Sequence, residues 1–422
     1  MTAAILRMNR RTFASLRKHR NYRLFFVGQV VSVTGTWMQR IAQAWFILQL
    51  THSPLAVGYL ALAQFLPFTV LGLFAGVVVD RMDARKTVIG TQAASMVLAS
   101  VMAVVALAGI ARPWHVYAIA ALMGAVQVLD APARQALTYR MVGRSELPNA
   151  IALNSSLFNA SRIFGPALGG VIIAAAGVGF CFAFNAVSFV AVLAGLLMMR
   201  VDELHPLDLM KQPTLLRGMR EGFAYARHSK RLLVVLGTTL VVSTVCFNFN
   251  VLLPVLAQQT LHAGPRTFGL LSAFFGAGAL VGALVSAGLG RATLRGLLVG
   301  TVGFGVFELL LAPSTSLVLC ALLLFLVGAS FTVFTSNGNS TAQLEAPDHL
   351  RGRVVGLYYY AFNGLGPLGG LSAGWLSARG GTGLAFAVAG TVGITTGAAA
   401  LVYLWRTSPK AVEVEPEVRL AA

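Results

Sequence analysis

The sequence predicts an all-α chain: a polytopic membrane protein of twelve transmembrane helices in two pseudo-symmetric six-helix bundles. Hydrophobic residues make up 57% of the chain and charged residues only 11%, against about 25% charged in an ordinary water-soluble globule, and the mean hydropathy is +0.75. The apolar residues fall in runs long enough to cross a bilayer, which takes about 20 residues of helix. Two strings also recur at equal places in the two halves. Gly165-Pro166-Ala-Leu-Gly169-Gly170 returns as Gly366-Pro367-Leu-Gly369-Gly370, and Pro54-Leu-Ala-Val-Gly58 returns loosely as Pro265-Arg-Thr-Phe-Gly269, a pattern expected of a duplicated transporter.

Residues 1–22 form a tail that, with Arg23, holds seven basic residues and no small-residue cleavage pattern, so they read as a cytoplasmic N-terminus and not as a signal peptide. Apolar runs at 23–50, 54–79, 87–110, 114–141, 148–176 and 178–200 give an N-terminal bundle, 23–200. Residues 201–231 form a cytoplasmic linker with Pro206, Pro213 and clustered mixed charge. Within it Leu215, Met219 and Phe223 recur every four residues, as in an amphipathic helix on a membrane surface; a solvated linker with some helix fits the same residues. Runs at 232–258, 266–290, 296–313, 316–341, 352–377 and 382–405 give a C-terminal bundle, 232–405, and 406–422 a short tail. Alternate connections are basic: Arg81, Arg85 and Lys86; Arg140 and Arg144; the linker; Arg291 and Arg295; Arg351 and Arg353. The others show little beyond Arg112, Arg266 and Arg379. By the positive-inside bias both termini are then cytoplasmic in a multi-pass protein of the cytoplasmic membrane.

A net charge of +18 would suggest nucleic acid in a soluble chain, but here the cations lie between spans, where orientation and contact with lipid headgroups account for them and no nucleic-acid partner is expected. Cys181, Cys246 and Cys320 all lie inside apolar runs, so neither a disulfide framework nor a metal site is expected. Seven dispersed histidines and the lack of a phosphate-cradling Gly-x-x-x-x-Gly-Lys-Ser/Thr string argue against an enzyme, a cofactor or direct drive by ATP. What remains is a secondary transporter of a small molecule, powered by an ion gradient.

The stretch from Gly72 to Lys86 joins a glycine-bearing helix end to a loop holding Asp80, Arg81, Asp83, Arg85 and Lys86. Gly76-x-x-x-Asp80-Arg81-x-x-x-Arg85-Lys86 resembles the loop signature of the major facilitator superfamily, and Gly165-Pro166-x-x-Gly169-Gly170 resembles the motif of its exporter branch. Three further strings are similar to the subgroup of enterobactin-type exporters and transmembrane secretion effectors: Asp130-Ala-Pro132-Ala-Arg134-Gln135, Asn149-Ala-x-x-Leu-Asn154-Ser, and Asn159-x-x-Arg162-x-x-Gly165-Pro166. Thr36-Trp37-Met38-Gln39-Arg40 and Arg351-Gly352-Arg353 fit the same subgroup. Asp83 stands where the superfamily loop usually has glycine, and Ala44 where some relatives carry an acid, which weakens acid-based coupling from the first span. The resemblance implies alternating access, export and a proton as counter-ion.

It also implies a gate built on Gly76, Asp80, Arg81, Arg85, Asp130 and Arg134. Asp130 and Arg134, one turn apart on the fourth span, share a face and can pair with each other; in the gate Asp80 would meet the end of the eleventh span and Asp130 a loop arginine, with a static salt bridge stabilising the bundle as the alternative. Gly165, Pro166, Gly169 and Gly170 read as a helix pivot, because proline lacks the backbone donor and glycine lets helices approach.

Charges within spans are scarce because each costs about 2.5–3.5 kcal/mol at a helix centre. Arg162 lies about 18 Å into the fifth span at 1.5 Å per residue, near mid-membrane, so it must face a polar cavity or tie helices together. Arg40, about 24 Å into the first span, can reach the far surface or the cavity. Arg40, Arg162, Asn159, Asn248 and Asn337 are the candidate lining of a central substrate cavity. Glu308 and Asp130 are candidate proton sites, although the ninth span of the resembled fold stands outside the cavity. Embedded cations outnumber embedded acids, which favours an anionic, siderophore-like solute; lipophilic multidrug efflux and a non-transporting sensor or scaffold are the alternatives.

Overall fold

The computed structural model describes residues 12–79, 81–206, 215–288, 292–347 and 350–407. Among the described residues, nine helices are long and apolar enough to cross a membrane. Two of these, Pro113–Ala176 and the stretch 351–406, turn back on themselves at glycine and supply two spans each. The first span, Arg20–Thr51, is too polar to be among the nine, because Gln29, Gln39 and Gln43 point into the bundle and are buried. Together these make twelve spans.

The second, third and sixth spans are Pro54–Val79, Ala84–Leu107 and Val178–Leu197. The fourth and fifth run together where the apolar pattern suggests a loop over 142–147. The turn is made at Gly143, whose φ of 68° with ψ of 179° is a conformation open almost only to glycine. The third span starts at Ala84, before the apolar run, because the Asp83 carboxylate accepts the Lys86 amide at 2.9 Å and caps the helix. In the second half the seventh span is Lys230–Val245 continued by Phe249–Val255. The eighth to tenth are Pro265–Gly288, Leu294–Leu311 and Leu317–Glu345. The eleventh breaks between Arg351–Asn363 and Gly366–Thr407, just before Pro367, which cannot donate to the turn behind it. The twelfth follows a second break at Gly380 and Gly381. Pro166, at the matching place in the fifth span, leaves its helix continuous.

The two most extensive crossings between the halves are fifth span on eighth and second on eleventh. The recurring strings meet there. A Cβ added at Gly170 would stand 2.7 Å from the Pro265 carbonyl oxygen and 2.9 Å from the Gly269 Cα, and one at Gly269 would stand 2.6 Å from the Pro166 carbonyl oxygen. At the other crossing a Cβ on Gly58 would stand 2.9 Å from the Gly370 carbonyl oxygen, and one on Gly374, a turn beyond the string, 2.9 Å from the Pro54 carbonyl oxygen. Each Gly-Pro string of one half therefore packs on the Pro-x-x-x-Gly string of the other, twice, as a two-fold relation requires. Both crossings lie at the end of the bundle away from the basic loops.

The helix Leu215–Ala226 occupies the linker. Glu221 pairs with Arg353, and the Tyr225 hydroxyl donates to the Glu345 carbonyl at 2.9 Å, so the helix lies on the corner between the tenth and eleventh spans. Phe223 points away and is exposed. Expectations for Leu215 and Met219 concern side chains outside the description, and the 406–422 tail is described only to residue 407.

Candidate functional site

At the basic end, charges of the first half close on one another. Asp83 pairs with Arg140 at 2.9 Å, and Arg140 is tied to the start of the linker by its carbonyl, which accepts the His205 amide at 2.8 Å. Among the described residues Arg85 reaches no acid. Its guanidinium donates twice to the Leu196 carbonyl, at 3.1 and 2.8 Å, supplying a donor to a helix end whose last carbonyls lack one. Asp130 is almost wholly buried and accepts from the Thr91 hydroxyl at 2.6 Å and the Gln92 amide at 2.9 Å. It pairs with Arg134, which also donates to Gln29.

The expected contact of Asp130 with a loop arginine is therefore replaced by one with Arg134, which helical spacing places directly above it, while the loop's Arg85 is held by the sixth span. Arg81 is exposed, Gly76 lies in the last turns of the second span, and Asp80 lies outside the described residues. The ion pairs of Asp83 and Asp130 join parts of one half; neither crosses to the other.

Partial burial pushes the Asp83 carboxyl up, but the Lys86 amide and the Arg140 guanidinium together hold it below its ordinary value. A carboxyl lowered in the folded state stabilises the fold above its unfolded value and loses that effect as the pH falls through the lowered one. Asp83→Asn should therefore melt below the wild type at neutral pH, by less than about 1 kcal/mol because the pair is partly exposed. The two melting curves should converge below about pH 4.

In the middle of the bundle two cations stand between the halves. The Arg40 guanidinium lies over the Trp37 ring, 5.0 Å from its centroid, and faces a recess lined by Ala44, Gln64 and Asn250. A second recess, sharing Ala61 and Asn250 with the first, is lined by Phe65, Phe247, Asn248, Phe362 and Asn363. Phe247 leads from there to Arg162, whose guanidinium lies 5.9 Å from the Phe247 centroid, 5.0 Å from Phe275 and 5.4 Å from Phe331. Among the described residues Arg162 has no ion pair or hydrogen-bond partner. The three rings belong to the seventh-span break, the eighth span and the tenth, all in the half opposite Arg162.

Other candidates fall elsewhere. The Asn159 amide donates to the Ser155 carbonyl of its own helix at 2.9 Å. Asn337 turns from the recesses: its side-chain oxygen accepts the Thr293 amide at 2.9 Å and its nitrogen donates to the Val333 carbonyl at 2.9 Å, which fixes the start of the ninth span. Asn248 lines the second recess while its amide donates to the Thr244 carbonyl at 2.8 Å. Glu308 is fully buried, with neither carboxyl oxygen hydrogen-bonded among the described residues. A turn before it, Gly305 packs on the main chain of the twelfth span at Gly390, and Glu308 lines neither recess. Gln64 and the phenylalanine cage are the lining that the sequence reading does not single out.

Residues 10–420 match the transmembrane secretion effector family. The chain is 23% identical over 350 residues to macrolide efflux protein A of Streptococcus pyogenes, covering 81% of this chain and 86% of that protein. It is 27% identical over 363 residues to the enterobactin exporter EntS of Citrobacter koseri, covering 83% and 85%. The fold matches the crystal structure of a mutant of the nucleoside transporter NupG with a TM-score of 0.73 at 12% identity, over 91% of this chain and 99% of that one. With these matches running nearly its whole length, the chain belongs to the transmembrane secretion effector family of major facilitator efflux transporters.

Proposed function

We propose that the protein exports a small organic anion across the cytoplasmic membrane by alternating access, with the basic loops and both termini on the cytoplasmic side. The observation that carries this reading is the pair of cations between the halves: Arg40, which lines the first recess, and Arg162, which lies over Phe247 of the second, with no carboxylate in the lining of either recess among the described residues. A guanidinium in so dry a place binds a carboxylate, catecholate or phosphate strongly, through paired donors in a fixed fork. A siderophore-like solute suits this site, and a relative that exports enterobactin supports it.

The Gly165, Pro166, Gly169 and Gly170 string serves as the pivot in the sense of a bending point of the fifth span that lets the halves rock. Gly76, Asp80, Arg81, Arg85, Asp130 and Arg134 serve as the inner gate, a reading that the buried Asp130–Arg134 pair supports. Proton antiport is the coupling we favour. Of the two acids within spans, Asp130 is committed to Arg134, which leaves Glu308 as the one free to take up and release a proton.

The phenylalanines of the second recess support a second reading, efflux of lipophilic compounds. A thermal-shift comparison in detergent separates the two. A ligand at about 100 times its dissociation constant adds ~2.7 kcal/mol to the folded state. 2,3-Dihydroxybenzoate should raise the melting temperature and tetraphenylphosphonium should not; the reverse order would move the function to multidrug efflux.

A further inference from the structure

We infer that Phe247, Phe275 and Phe331 hold Arg162 during the return step of the cycle, standing in for the solute after it has left. This rests on the reading of Arg162 as the group that binds an anionic solute. An exporter that has released its anion must reset with the guanidinium still charged, and carrying an unpaired cation through a dry interior is strongly unfavourable. Arg162 has no carboxylate within ion-pair distance among the described residues. What surrounds it is aromatic: ring centroids at 5.0, 5.4 and 5.9 Å, whose faces carry the negative part of the ring quadrupole and attract a cation.

Two features make this more than packing. All three rings come from the half opposite Arg162, so the contact forms when the halves close on each other at this depth and is lost when they part there. The cage is thereby coupled to the conformational step itself. The rings are also held from behind. Phe247 stacks on Phe331 with centroids 4.3 Å apart, Phe275 stacks on Phe249 at 4.7 Å, and Phe304 sits 5.7 Å from Phe331. Such a slab does not collapse when the guanidinium leaves it.

A cation on a ring face is held less firmly than one making charge-assisted hydrogen bonds. An arriving anion therefore displaces the cage, and a departing one lets Arg162 fall back. Phe247 lines the second recess as well as the cage, so a solute entering that recess meets the ring it must compete with. The cage residues position Arg162; they are not proposed to touch the solute's charged group.

The inference separates two modes of transport. Exchange of solute for solute cycles only the loaded carrier, whereas net efflux also needs the empty carrier to return. The test uses the full chain in lipid vesicles with radiolabelled 2,3-dihydroxybenzoate, comparing exchange with net efflux. Phe275→Leu and Phe331→Leu should keep exchange while lowering net efflux relative to it by about tenfold, the scale of one lost desolvated cation–ring contact. Phe304→Leu loses similar packing next to Phe331 without a contact to Arg162, and should leave the ratio of the two rates unchanged.

An unchanged ratio in both cage variants, or an equal change in Phe304→Leu, would overturn the inference while leaving anion export intact. Failure of the wild type to exchange the probe, or full exchange by Arg162→Gln, would instead remove the anion reading and the cage role with it.

Discussion

Arg162→Met is expected to abolish binding and export of an anionic solute while leaving the protein at least as stable as the wild type. The two effects have one cause. Each hydrogen bond from a charged group contributes about 1.5–3 kcal/mol, so loss of a forked pair of them weakens solute binding by roughly a hundredfold or more. In the fold, however, the guanidinium is a buried charge with only ring faces around it among the described residues. Replacing such a charge by an apolar chain of similar length relieves desolvation. A methionine also contacts aromatic rings favourably, by about 0.3–1.5 kcal/mol. Melting of the unliganded variant should therefore stay level or rise, and the shift produced by 2,3-dihydroxybenzoate should vanish. A melting temperature lowered by several degrees would make Arg162 a tie between helices, the alternative its place in the fifth span left open.

How much of this was legible beforehand depends on what a membrane does to sequence patterns. The spans themselves were plain, because a bilayer demands long apolar runs and the loops between them carry the charge. The faces of those spans were not. In a soluble helix the buried face is the apolar one, but in lipid both faces are apolar. Phe275 and Phe331, each almost fully buried, therefore look in sequence like exposed Phe164 or Phe180.

Polar residues carried more information and still misled in part. Arg162 stood out at mid-membrane and lies between the halves, whereas Asn337, equally polar, is used up in fixing the ninth span. Asp130 was read from its spacing to Arg134 and does pair with it, but its other partners, Thr91 and Gln92, come from a neighbouring span that no local pattern indicates. The repeated glycine strings revealed the duplication; that each string packs on the other kind, across the halves, emerges only once the two crossings are built.

Those crossings carry the second large expectation. Gly269→Ala should favour the state open at the end away from the basic loops. The new methyl would sit 2.6 Å from the Pro166 carbonyl oxygen and 2.9 Å from the Gly170 Cα, and main-chain atoms cannot swing aside as a side chain can. Overpacking of this kind costs about 1–3 kcal/mol. On the alternating-access reading the strain falls on one conformation, because the fifth and eighth spans belong to different halves and their contact at Gly170 and Gly269 would be lost when that end opens. A penalty confined to one state shifts the population by about tenfold for every 1.4 kcal/mol. Gly58→Ala, at the matching crossing, should act in the same direction through the Gly370 carbonyl oxygen 2.9 Å away.

The measurement is maleimide labelling of Ala61→Cys, a buried position lining both recesses, from the side opposite the basic loops; Gly269→Ala should speed it by about tenfold. Gly282→Ala is the comparison. Its methyl would stand 2.3 Å from the Ala329 carbonyl oxygen, within the second half, where the eighth and tenth spans stay together whichever end is open. That variant should lower the melting temperature without changing the labelling. If Gly269→Ala behaved like Gly282→Ala, the crossing would be fixed packing and the halves would have to part somewhere else.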